Sequence, residues 1–158
     1  MKVRVKEFMR KYMSAKYGHG SYIPGGIFSK IISHTETYID LPDNIIEVIE
    51  ANRNKEKNWE KLYKTISSHR IKGMDKEEKQ DLNGAISEYS QSIEIGETTD
   101  MFHAYAYSYE RIIILLHKVK DYNQEAKYIT QLLKHRLNDK RREKYQNRLE
   151  KLNSKLNK

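Results

Sequence analysis

Apolar positions recur along most of the chain at three- and four-residue spacing, the period of a helix with one buried face. Val5, Phe8, Met9, Tyr12, Met13 and Tyr17 predict an amphipathic helix over 4–17, with Lys6, Arg10 and Lys16 on its polar side. Residues 18–26 hold four of the seven glycines and one of the two prolines, so they predict a loop. It lacks both a dinucleotide fingerprint and a Gly-Lys-Ser/Thr ending, and is expected to be a hinge or contact loop with Tyr17, His19 and Tyr22 exposed. Phe28, Ile31, Ile32 and Thr35 suit a short helix over 27–35, while Thr37, Tyr38 and Ile39 lean towards extended structure. Asp43 can then cap a helix whose buried stripe is Ile45, Ile46, Val48 and Ile49. The polar run 52–58 reads as a linker or helix break. It would separate an N-terminal helical region, 1–58, from a more regular remainder.

In that remainder, Trp59, Leu62, Tyr63, Ile66 and Ile71 give a helix ending near Gly73. Leu82, Ala85, Ile86, Tyr89 and Ile93 give another over 82–95, stopped by Gly96. Asp100 can cap a third over 101–118, the most hydrophobic segment of the chain. A fourth covers 122–136 through Tyr122, Ala126, Ile129, Leu132 and Leu133. The last, over 139–157, shows one narrow seam of Tyr145, Leu149, Leu152 and Leu156. Short connections between consecutive helices imply antiparallel neighbours, hence stacked hairpins.

Gly73, the turn at Asp81, Ala85 and Tyr89 lie at the relative spacings of the tetratricopeptide repeat, which the segment 66–136 resembles. Lys120, Asp121 and Ala126 look like a second copy of the turn and helix start with one residue added, 41 residues from Ala85 to Ala126. His69 and His103 stand where the repeat has a large aromatic. The resemblance implies an all-α fold of stacked antiparallel helical hairpins, a short tetratricopeptide-like α-solenoid over 59–136. Residues 137–158 would form a basic capping helix, polar on its outer side.

Composition agrees with this class. Only 7 Gly and 2 Pro in 158 residues are too few for a turn-rich β fold. The absence of Cys excludes disulfides, thiolate metal sites and a cysteine nucleophile. The longest apolar run, Ile112 to Leu116, is five residues, far short of the ~20 that span a membrane, and the expected location is the cytoplasm. Six His show no i, i+4 pair for a metal, and no carboxylates converge by spacing, so no catalytic residue, metal or cofactor is expected. The protein is read as non-enzymatic.

Charge is unevenly placed. The net charge of +8 divides into +5 over 1–17, −4 over 18–133 and +7 over 134–158. Such ends are either solvated helix faces or a footprint for an anionic partner.

Two binding surfaces follow. On the 101–118 helix, Phe102, Tyr105, Ala106, Tyr109, Ile112, Ile113 and Leu116 suffice for a core face. A second stripe of His103, Tyr107, Glu110, Ile114 and His117 either lines a groove for a partner protein or peptide, or is buried against the N-terminal region. The other surface is Lys140, Arg141, Lys144, Arg148, Lys151 and Lys155, a stripe able to meet nucleic acid without sequence specificity. That alternative describes a basic accessory or inhibitory protein of a bacterial phage or mobile element. The seam on 139–157 could also join two copies as a homodimer.

Overall fold

The computed structural model describes residues 1–158. The chain is 74% helical, with eight helices and one two-stranded sheet, an all-α protein in all but that ribbon. It forms two compact units, Met1–Glu60 and Lys61–Lys158.

The first unit opens with strand β1 (Lys2–Arg4), which pairs antiparallel with β2 (Tyr38–Asp40) in the register Val3↔Ile39. Helix α1 (Val5–Tyr12) follows, then a 3-10 segment (Ala15–Gly20) and helix α2 (Gly25–Ile32). The 4–17 helix is therefore shorter than its periodicity suggests, because residues 2–4 are drawn into the ribbon and the chain turns after Met13. Val5, Phe8 and Tyr12 keep the inward spacing and pack with Tyr17, Ile23, Ile31, Ile39, Leu41, Ile45 and Ile49.

Tyr17 is buried, against expectation. Its hydroxyl donates to Glu50 at 2.6 Å, and Arg53 lies 5.0 Å above its ring. Gly20 has φ +92°, and a Cβ there would meet the Phe28 ring at 2.7 Å, so the turn needs glycine on both counts. Of the expected contact residues, only His19 is fully exposed, and Tyr22 is half-buried.

Helix α3 (Ile45–Glu78) overturns the expected break at 52–58 and the expected end near Gly73. Nothing in 52–58 terminates a helix, since the run contains neither Gly nor Pro. Part of the run is also held in place, with Asn52 donating to the Tyr22 carbonyl and Arg53 to that of Lys16. Ile45 and Ile49 are buried, whereas Ile46 is exposed. Asp43 accepts from the Met1 nitrogen at 2.7 Å.

The second unit continues through α4 (Leu82–Gly96), α5 (Phe102–Lys118), α6 (Tyr122–Leu132) and α7 (Asp139–Leu156). Asp81 caps α4 by accepting from Gly84 N, and Asp121 caps α6 by accepting from Gln124 N. Asp100 does not cap α5: Met101 stands at the N-cap position, and no side chain caps the helix. Gln80 and Lys120 both sit in the left-handed region, with φ 64° and 62°. Behind them, Asp81 N bonds Lys76 O and Asp121 N bonds Leu116 O, each at 2.9 Å. The same helix-ending motif thus recurs after 40 residues, not 41. Glu125, and not Ala126, stands where the first turn is followed by Ala85.

Gly73 lies inside α3, where a Cβ would approach the Tyr89 ring at 2.7–2.9 Å. Forty residues on, the corresponding pair is Ile113 and Ile129, both fully buried. A small–large pair at the first turn is thus replaced by two medium residues at the matching positions of the next. On α5, Ala104, Ser108 and Leu115 are buried beyond the expected core stripe, because α4 and α6 both pack against this helix. Ser92 and Ser108 satisfy each other at 2.9 Å in that core.

Asn138 caps α7. Tyr145 and Leu152 are buried within the unit's own core, Leu149 is partly buried against it, and only Leu156 is exposed. The seam expected to join two copies is therefore spent inside one chain.

Candidate functional site

Three of the five residues on the second stripe of α5 sit apart from the other two. His103 and Tyr107 are exposed, and Ile114 is half-buried. Their neighbours are aromatic: Tyr63 of α3 stands 6.3 Å from the His103 ring, and Tyr89 stands 6.4 Å edge-on from Tyr107. Beside them, Glu77 takes bonds from Arg111, the Nε at 3.2 Å, and from the Tyr89 hydroxyl at 2.9 Å. Burial opposes ionisation of Glu77, yet the Arg111 guanidinium and the Tyr89 hydroxyl hold its carboxyl below the ordinary 4.5. The same burial, with Glu77 accepting, pushes the Tyr89 phenol far up. Within the second unit, His103 and Tyr107 are thus exposed next to a fixed ion pair.

Glu110 and His117 belong to other arrangements. Glu110 is ion-paired with Arg141 of α7. His117 Nδ1 lies 2.9 Å from Oε2 of Glu125, and Arg148 reaches Oε1 of the same carboxylate through Nε at 2.9 Å and a terminal nitrogen at 2.8 Å. Glu125 is fully buried. No sequence signal singled it out, because its partners are 8 and 23 residues away and its burial depends on where α7 lies.

The six cations of the α7 stripe do not form an even row. Arg141 and Arg148 are engaged by carboxylates, and Lys155 Nζ sits 4.1 Å over the Tyr122 ring. Lys144, Arg148, Lys151 and Lys155 line one pocket, with His117, Asn147 and Leu152 and with Glu125 at its base. Lys140 is exposed and outside it. Arg142, not among the six, donates to the Leu133 and His135 carbonyls and so closes the end of α6.

A second cluster escaped the sequence altogether. Glu97 accepts from Tyr109, and His135 Nε2 lies 2.6 Å from the same oxygen. The His135 ring stacks on Phe102 at 4.2 Å. Burial first, then the bond to Glu97, pushes the Tyr109 phenol far up. This cluster borders a groove between α4 and α6, lined by Ser90, Glu94, Lys127, Tyr128, Gln131 and Lys134 among others. No three His, Asp or Glu side chains converge in a metal-holding geometry, and no helix is long and apolar enough to cross a membrane.

Compared with protein-family models, with curated proteins and with solved structures, the chain matches none.

Proposed function

We propose that the second unit is a short stack of antiparallel, tetratricopeptide-like hairpins closed by α7, and that it acts without catalysis. Its role is to hold an extended segment of a partner protein along the open face of α5. The observation that carries this reading is that His103 and Tyr107 are left exposed on a helix whose other sides are consumed by packing. Such side chains supply contact area at low entropic cost, and the fixed Glu77–Arg111 pair beside them offers directional polar groups. The recurrence of one helix-ending motif after 40 residues supports the repeat reading.

The test is affinity capture from source-cell lysate, with and without nuclease, comparing the protein with a His103→Ala/Tyr107→Ala variant. A discrete protein retained after nuclease and lost in the variant is expected. Equal retention by both would remove α5 as the binding face. The nucleic-acid reading of the α7 stripe predicts the reverse: recovery lost to nuclease and falling steeply with salt. It is the weaker reading, because two of the six cations are already committed to carboxylates.

A further inference from the structure

A buried carboxylate is an expensive way to fill space, and this fold does not need one at position 125. The equivalent place after the first turn is filled by Ala85, equally buried. Glu125 therefore does something that packing does not require. Both of its oxygens are engaged: Arg148 holds one through two nitrogens, and His117 contacts both, at 2.9 and 3.2 Å. This clamp fixes a guanidinium and an imidazole in the wall of the pocket that Lys144, Lys151 and Lys155 also line. Four cations against one carboxylate leave a surplus of three positive charges before His117 is counted (4 − 1 = 3). The chain's positive charge could have been spread over solvated faces; here part of it is gathered in one concavity.

We propose that this pocket is a binding site for a phosphate-type dianion, a phosphomonoester or pyrophosphate group. In it Lys144, Lys151 and Lys155 act as mobile point charges, and Arg148 is the oriented donor. Glu125 is a positioning residue that acts through Arg148. Leu152 and the lysine stems give the pocket apolar walls. The site stands apart from the partner face of α5 and does not rest on it. A surplus of three charges suits a dianion better than a lone carboxylate.

The test is calorimetric titration of the full chain with pyrophosphate and with inorganic phosphate at low ionic strength. One saturable site is expected. Lys144→Gln and Lys151→Gln, both on exposed side chains without carboxylate partners among the pocket's contacts, should each weaken it about tenfold, with unchanged circular dichroism. Lys140→Gln, on the same helix but outside the pocket, should leave it unchanged. No saturable binding, or equal weakening by Lys140→Gln, would overturn the site and leave only diffuse attraction to a basic surface. Glu125→Gln separates positioning from charge. Removing a negative charge makes the pocket more positive, so simple electrostatics predicts tighter binding, whereas loss of an oriented Arg148 predicts weaker binding. Weaker binding in a folded variant is expected, and tighter or equal binding would overturn the positioning role.

Discussion

Arg148→Ala is the most informative single change for stability. It leaves the Glu125 carboxylate fully buried with His117 as its remaining partner. Breaking a buried ion pair from one side typically costs ~3–5 kcal/mol, because the surviving charge stays desolvated. Arg148 is 28% exposed and His117 persists, so the lower end applies, about 3 kcal/mol. Glu125→Ala should be milder, about 1–2 kcal/mol, since it removes the charge itself and leaves mainly a small cavity. Ala85 fills the matching place, which is direct precedent for alanine there. On the Glu125→Ala background, Arg148→Ala should then be almost silent, giving a coupling of about 2–3 kcal/mol in a double-mutant cycle. Urea unfolding read by circular dichroism measures it, fitted with separate transitions for the two units. With a slope of about 2 kcal/mol/M, the single variant should move the midpoint of the second unit by about 1.5 M. A shift smaller than about 0.5 M, or the same cost on both backgrounds, would refute the reasoning.

Gly73→Ala should destabilise by about 1–2 kcal/mol despite alanine's better helix propensity, because its Cβ meets an aromatic ring that cannot give way; thermal melts check this. His103→Ala/Tyr107→Ala, on an open face, should move the second unit's stability by no more than about 1 kcal/mol, measured in the same melts; a larger loss would make that face structural. The pH dependence follows from four groups. Glu88 is held below the ordinary 4.5 chiefly by the bond from His69, and Glu77 by Arg111 and Tyr89 against the opposing cost of burial. For a lowered carboxyl, the stabilisation is present above 4.5 and is lost as pH falls through the lowered values, so acid unfolding should begin below pH 4.5 and come earlier in Arg111→Ala. Burial raises the Tyr105 phenol to about 12 and Tyr109 further. Their contribution is complete below 10 and declines as pH rises above it, as the unfolded chain ionises first. Ultraviolet titration of tyrosinate should therefore show a late class of tyrosines that appears together with unfolding.

The sequence by itself determined the helices whose signals are local. The cores of α4, α5, α6 and α7 follow from three- and four-residue spacing, and the Gly96 end of α4 is a property of a few adjacent residues. Spacing also sets a second row containing His103 and Tyr107 apart from the packed side of α5, but whether such a row is covered or open is not a local property. The same local logic fails at 52–58, where a polar run reads as a break although no residue there stops a helix, and at Tyr17, whose burial depends on Glu50 and Arg53 across the unit. Only the tertiary structure decided which charges are spent and which remain free. Arg111 finds Glu77 across 34 residues, Arg141 finds Glu110 across 31 and Arg148 finds Glu125 across 23. Separations of that size leave no periodic trace in a sequence. The 40-residue register, which puts Glu125 in the place of Ala85, is marked in the sequence by Asp81 and Asp121, whereas the left-handed turns at Gln80 and Lys120 that fix it show only in the structure. Helix formation is governed by neighbours along the chain. A buried carboxylate and the cations gathered around it are governed by neighbours in space, and those exist only once the helices have packed.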